Sequence, residues 1–259
     1  MPIVEPTNKS VLEFEGIHLY HADRSNCSAR VRLLLEEKEL PWESHHINLM
    51  EKENINEEYF GINPKGLVPS LVYDGTVVVE SNDILAYLED KFPEPGFCEV
   101  SDEDQPKIDY WLKTSGEIHL PGIKTLQYYK RVAKLLVKSD EEYKRYRELQ
   151  TDPAHLEFHA KHGAPGSSLT EEDAAGATKL MNEIYEEMDS ILANSDYIVA
   201  GTYTLADISW APTITTQKIG EFDFSPFPNV EAWYDRVSSR PQFEVAFLKW
   251  IREANWGHK

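Results

Sequence analysis

The sequence predicts an α/β unit over residues 17–96 followed by an all-α unit over residues 104–256. Three observations carry this. A short apolar run, Ile17-His18-Leu19-Tyr20, precedes a polar turn and then an apolar face at helical spacing. Two further strand-like runs flank Asp74-Gly75, a strong hairpin turn signal. Beyond Asp104, apolar residues recur at spacings of three and four with almost no alternation, the period of helices rather than strands.

The α/β unit reads in order as follows. Residues 1–15 carry Glu5, Lys9, Glu13 and Glu15 without an apolar core run, so they are expected as a loose tail and not as a signal peptide. After the first strand, Val31, Leu34 and Leu35 fall at i, i+3 and i+4 on one helical face. Arg30, Arg32 and Glu37 fall off that face and are expected in water. Ser25 or Ser28 can cap this helix, because a hydroxyl accepts from an unpaired first-turn N–H. Residues 41–49 give a second strand, and residues 50–60 a charged loop with a short helix. Residues 70–73 and 76–79 are the arms of the hairpin. A helix opens at Glu80-Ser81 and is stopped by Pro93, Pro95 and Gly96. Strand–helix–strand implies a parallel pair with a right-handed crossover, and the hairpin adds antiparallel strands. That is the order of a thioredoxin-like fold.

In the all-α unit, Ile108, Trp111, Leu112 and Ser115 keep helical spacing, as do Leu126, Tyr129, Val132, Ala133 and Leu136. Residues 139–170 are polar and broken by Pro153, Gly163, Pro165 and Gly166, with a helix over 141–149. Residues 171–192 form a long helix, and only residues 197–200 suggest a strand. Thr204 and Asp207 have the spacing of a capping box, with Tyr203 and Ile208 at the staple positions.

Composition removes several function classes. Of the 259 residues 41% are hydrophobic, enough for a real core, and the net charge is -19. That charge argues against nucleic acid or an anionic membrane as partner. No run approaches the roughly 18 apolar residues that span a bilayer. Cys27 and Cys98 give no disulfide framework, which fits a reducing, cytoplasmic setting.

Three separated pieces can carry chemistry. Ser25 and Cys27 stand at a helix start, where the partial positive charge favours an anion such as a thiolate; the alternative is a cap beside a buried filler. In Leu67-Val68-Pro69 a proline enters a strand, which is unusual. A cis bond there would turn the Val68 N–H and C=O toward a peptide-like ligand, and a trans proline at a strand edge is the alternative. At Glu80-Ser81, Ser81 can offer a hydroxyl and an N–H to a carboxylate and Glu80 can accept from an ammonium, or the two are a capping pair. Together they outline a tripeptide-sized site: a thiol at one end, backbone pairing in the middle, an amino-acid head at the other. No metal constellation is expected, since His155 and His159 supply only two ligands.

On Ser-x-Cys-Ser-x-Arg-Val-Arg at 25–32, Asn-Pro-Lys-Gly-Leu-Val-Pro at 63–69, Glu-Ser at 80–81 and Thr-x-x-Asp at 204–207, the chain resembles the cytosolic glutathione transferase superfamily over residues 17–256. The Ser-x-Cys-Ser turn looks most like the zeta class and the related tetrachlorohydroquinone reductive dehalogenases. The likeness to the dehalogenases extends to the polar insertion, the Ala206–Trp210 run and the Arg240–Glu244 pattern. Other pieces are similar to bacterial β-etherases. The resemblance implies a homodimer that takes glutathione as co-substrate, without a metal, and transfers its thiolate to an electrophilic, aromatic carbon. It implies that Ser25 donates to the glutathione sulfur, with Ser28 as a rival hydroxyl. Cys27 matches the cysteine that forms a mixed disulfide with glutathione in the dehalogenases. Val68, Pro69, Glu80 and Ser81 would hold the peptide, and Lys52 or Lys65 could reach its glycine carboxylate. The electrophile pocket would lie between the units, with Tyr110, Trp111, Tyr128, Trp210 and Trp250 as candidates. A non-catalytic glutathione-binding protein is one alternative. A maleyl isomerase is another, and it would need pocket cations that the sequence does not pin down.

Overall fold

The computed structural model describes residues 3–132 and 137–254, with the side chains of 131 and 132 excepted. The expectations at Ala133, Leu136 and Trp256 and for the Val132 side chain lie outside the described residues. One five-stranded sheet runs in the order β1-β5-β4-β2-β3, with β1 Ile3–Val4, β2 Ile17–His21, β3 Glu43–His46, β4 Ser70–Tyr73 and β5 Thr76–Val79. Helix α1 (Asn26–Glu37) carries the crossover between the parallel strands β2 and β3. β2, β4 and β5 pair antiparallel, with Leu19 opposite Leu71 and Leu71 opposite Val78. Period-2 alternation sends Leu19, Leu71 and Val78 into the main core and Val72, Val77 and Val79 to the other face. That second face is covered by Tyr59 of α2 (Glu57–Phe60) and by Val11. Helix α3 (Ser81–Lys91) follows β5.

Two expectations need correction. Residues 1–15 are not a loose tail: β1 pairs with β5, Ile3 opposite Val78, and a 3-10 turn at Lys9–Glu13 buries Val11 completely. β5 would otherwise be an open edge, and two residues suffice to blunt it. Nor do Arg30, Arg32 and Glu37 stay in water, since all three are buried. Helix α1 is enclosed between the sheet and the helical unit, so its polar side chains find protein partners. Arg32 donates to the carbonyls of Ala246, Ala22 and Asp23 at 2.7, 2.9 and 3.0 Å, and Glu37 accepts two hydrogen bonds of 2.6 Å from Arg240.

The helical unit begins with α4 (Gln105–Glu117), which continues through a wide π turn at His119–Lys124, α5 (Thr125–Gln127) and a second π segment at Tyr128–Val132. Such wide turns accompany functional sites, and here they carry His119, Lys124 and Tyr128. The polar insertion folds as α6 (Asp140–Leu149) and α7 (Pro153–His162). It is tied to the α/β unit by Lys52–Glu142 at 2.8 Å, Arg145–Glu57 at 3.2 Å and a 2.8 Å bond from Gln150 to the Lys65 carbonyl. Then come α8 (Glu171–Leu192), α9 (Leu205–Ile219), α10 (Pro228–Ser238), α11 (Pro241–Phe243), a π turn at Glu244–Leu248 and α12 (Lys249–Glu253). At 197–200 there is only an isolated bridge between Val199 and Thr202. No helix among the described residues is long and apolar enough to cross a membrane.

Candidate active site

A cavity of about 670 Å³ opens where the α1 N-terminus, the Val68-Pro69 loop, the α3 N-terminus, the first π turn and the insertion meet. Ser25, Cys27, Val68, Pro69, Glu80 and Ser81 all line it. Three stretches far apart in sequence therefore converge.

Ser25 is the N-cap of α1, and its Oγ accepts from the Ser28 N–H at 3.1 Å. Accepting fixes the oxygen and leaves its own proton free to be donated. The cap and the functional reading are thus the same geometry. Ser28 is fully buried, its Oγ accepting from the Ala22 N–H at 3.2 Å, and it does not line the cavity. The Val68–Pro69 bond is cis. The Val68 N–H and C=O make no backbone hydrogen bond among the described residues. Glu80 caps α3 at φ 67° and ψ 116°, a left-handed conformation that costs a non-glycine residue roughly 1–3 kcal/mol and clusters at ligand sites. Its carboxylate is 2.7 Å from Lys65 Nζ.

Behind this wall sits Arg30, 1% exposed. It donates to the Ser209 carbonyl (2.9 Å), Ser81 Oγ (3.1 Å), the Ser115 carbonyl (3.3 Å) and Thr213 Oγ1 (2.9 Å). Every partner is neutral, and burial pushes its pKa down against the opposing pull of Cys27. A guanidinium buried without a counter-ion is costly. It makes the adjoining cavity wall, at Ser81 and Cys27, favourable for an anion.

Sequence reading missed three groups. The Cys27 Sγ lies 3.7 Å from His119 Nδ1 and 3.8 Å from Nε2. Burial, then Arg30 and Lys124, push the His119 imidazole down to about 3, so it is neutral beside the thiol at ordinary pH. Lys124 and Lys138 also line the cavity, one on each side of His159. No motif marks any of them: His119 and Lys124 sit in a π turn that periodicity cannot foresee, and Lys138 stands at the edge of the insertion.

The comparisons agree with this geometry. The family model "Glutathione S-transferase, N-terminal domain" matches residues 19–96 and "Glutathione S-transferase, C-terminal domain" matches residues 154–241. The chain is 30% identical over 232 residues to the protein LigF of Sphingobium sp. strain SYK-6, covering 85% of this chain and 88% of LigF. The chain belongs to the glutathione transferase family. This family member is also 25% identical over 242 residues to the tetrachloro-p-hydroquinone reductive dehalogenase of Sphingobium chlorophenolicum, covering 89% of this chain and 95% of that one. Its fold superposes on the crystal structure of the β-etherase LigF with a TM-score of 0.80 at 25% identity, over 90% of this chain and 99% of that one.

In this glutathione transferase fold the aromatic candidates for the electrophile pocket divide. Tyr128 lines the cavity. Tyr110, Trp111 and Trp210 do not, and that expectation is corrected. Trp210 donates through Nε1 to the Trp111 carbonyl at 3.0 Å, their rings meet edge to face at 5.5 Å, and both are buried in the core between α4 and α9. Tyr110 is exposed and donates to Glu187 at 2.7 Å. Large aromatics at helical spacing are core more readily than pocket. Trp250 lies off the cavity too, edge-on to His21 at 4.8 Å. Lys52 lines the cavity while bonded to Glu142; Lys65 does not line it, being paired with Glu80 and Asp152. Among the described residues no group of three or more His, Cys, Asp or Glu side chains could hold a metal.

Proposed function

We propose that the chain is a cytoplasmic, homodimeric enzyme that binds glutathione along Val68, Glu80 and Ser81 and turns its thiolate on an electrophilic carbon, with cleavage of an aryl ether as the first reaction to test. The observation that supports this most is Ser25, held as the α1 cap with a proton to spare, at the wall of a cavity wide enough for glutathione and an aromatic group together. In ether cleavage the thiolate attacks the carbon that bears the aryloxy group. A C–S bond forms as the C–O bond breaks, and the departing phenolate takes a proton. The helix N-terminus, the Ser25 hydroxyl and the Arg30 charge all favour the thiolate before attack. The names of the relatives, a β-etherase and a reductive dehalogenase, give the two substrate classes.

The experiment gives the purified protein glutathione with a β-aryl ether ketone, tetrachlorohydroquinone or chlorodinitrobenzene, and follows phenol, chloride or thioether release. Glutathione binding without turnover of any of the three would favour a non-catalytic binding protein. Cys27 separates the two chemistries. In reductive dehalogenation the Cys27 thiolate attacks the sulfur of a glutathionyl-aryl adduct. The aryl carbon leaves with the C–S electron pair and is protonated, and a Cys27–glutathione disulfide remains for a second glutathione to reduce. Cys27→Ala is therefore expected to stop dehalogenation at the adduct, seen by mass spectrometry, while ether cleavage keeps at least half its rate. A Glu80→Gln variant should raise the KM for glutathione about tenfold with little change in kcat, because it removes one charge-assisted bond to the ammonium.

A further inference from the structure

We infer that the wall of the cavity made by Lys124, Lys138 and His159 is an anion subsite, which takes a carboxylate or an ionised phenol carried by the electrophile. This rests on the reading that the cavity receives an electrophile beside glutathione, and it adds the charge of that electrophile.

The two amines stand on either side of one imidazole. Lys124 Nζ is 3.4 Å from His159 Nε2 and Lys138 Nζ is 3.3 Å from His159 Nδ1. A neutral imidazole has one acceptor nitrogen and one N–H. It can accept from one ammonium only, and the other faces a donor. The remaining surroundings supply few acceptors: Lys124 lies against the rings of Phe158 and Tyr128 at 4.8 and 5.5 Å, and Lys138 against Tyr146 at 4.8 Å. Among the described residues neither lysine forms an ion pair, whereas Lys38, Lys52 and Lys65 each hold a carboxylate within 2.8 Å. Lys138 is 5% exposed. Lysines so enclosed are ordinarily paired. An oxyanion between them would give the surplus donors an acceptor.

The charge balance agrees. Burial and then the neighbouring Lys138 push Lys124 down to about 7; burial and then Lys52 push Lys138 down to about 8. The other charged or titratable groups facing the pair are Cys27 and His155 at Lys124 and Glu142 at Lys138. An anion raises both lysine pKa values, so between about pH 7 and 8 its binding takes up protons. The carboxylates of glutathione itself have other candidates, Ser81 and Lys52. The two lysines are therefore left for the second substrate.

Calorimetry with glutathione conjugates tests this. The probes are S-(4-carboxybenzyl)glutathione, its neutral S-(4-carbamoylbenzyl) counterpart, S-(4-hydroxy-3-nitrobenzyl)glutathione and S-methylglutathione. The carboxybenzyl conjugate should bind about tenfold more tightly than the carbamoyl conjugate. Its binding heat should vary with buffer ionisation enthalpy in the sense of proton uptake. A K124M/K138M double variant should lose that preference while its affinity for S-methylglutathione stays the same. The visible band of the nitrophenolate separates the two anions: ionisation on binding with a similar preference assigns a phenolate, and preference for the carboxybenzyl conjugate alone assigns a carboxylate. Equal binding of the charged and neutral conjugates, with S-methylglutathione bound normally, overturns the subsite and leaves the proposed function standing. A loss of S-methylglutathione affinity in the double variant assigns the lysines to glutathione and overturns it too. No binding of S-methylglutathione by the unaltered protein removes the glutathione reading, and the subsite with it.

Discussion

Replacing Ser25 by alanine will lower glutathione-dependent turnover by about 10²-fold, the effect of removing one preorganised donor from a developing or resting anion. The hydroxyl has two duties. Its oxygen accepts the Ser28 N–H at 3.1 Å, a cap worth about 1 kcal/mol of stability. Its proton is free for the sulfur of glutathione. The two duties separate experimentally. Loss of the cap shifts the denaturation midpoint slightly, and loss of the donor raises the pKa of the bound thiol, read from thiolate absorbance as pH is varied. Ser25→Thr keeps both oxygen and proton and should restore thiol acidity. An alanine variant whose bound glutathione ionises at the pH found for the unaltered protein would show that the helix end and Arg30 suffice without the hydroxyl.

Replacing Asp207 by alanine will destabilise the fold by about 3–5 kcal/mol, well beyond the ~1 kcal/mol of an ordinary cap. Asp207 is fully buried. It accepts from the Thr204 N–H at 2.8 Å, Thr204 Oγ1 at 3.1 Å, the Ile198 N–H at 3.1 Å and Trp233 Nε1 at 2.8 Å. The Thr204 hydroxyl can rotate away, but the two amides and the indole N–H would be stranded in the core, each costing about 1–3 kcal/mol. Urea denaturation measures the effect. A loss near 1 kcal/mol would mean that the residue does no more than cap α9. Burial pushes the Asp207 carboxyl up to about 6, against its hydrogen bonds. A carboxyl whose folded pKa exceeds its unfolded value of about 4 favours the folded state most at low pH. Its contribution should therefore fall as pH rises from about 4 to about 6, and the alanine variant should lack that part of the pH dependence.

The capping box at Thr204 shows how much of such a hub can be read in advance. Its spacing identifies the cap, since N-cap and third-turn residue are neighbours in any helix. The bonds from Ile198 and Trp233 arise from chain 9 and 26 residues away, and no local pattern announces them. The same division runs through the candidate site. Ser25, Val68 and Glu80-Ser81 each break a rule of the element they sit in, or cap it, and so can be noticed one at a time. His119, Lys124 and Lys138 break no local rule; they matter because of what lies across the cavity. Arg30 is the sharpest case. Off the apolar face of α1 it reads as solvated, yet it is enclosed and bonded to residues of α3, α4 and α9.

By itself the sequence determined the kind and order of the elements, the hairpin at Asp74-Gly75, the caps and the Ser25 helix start. These depend on residues within four or five positions of one another, where period, turn chemistry and capping act. Only the tertiary structure decided that two arginines lie inside and that the Trp111–Trp210 pair is core. It alone brought two lysines to one histidine, and the first residues to the sheet edge. Those outcomes are set by which distant segments exclude water from a given side chain, and burial of that kind is a property of the packed chain.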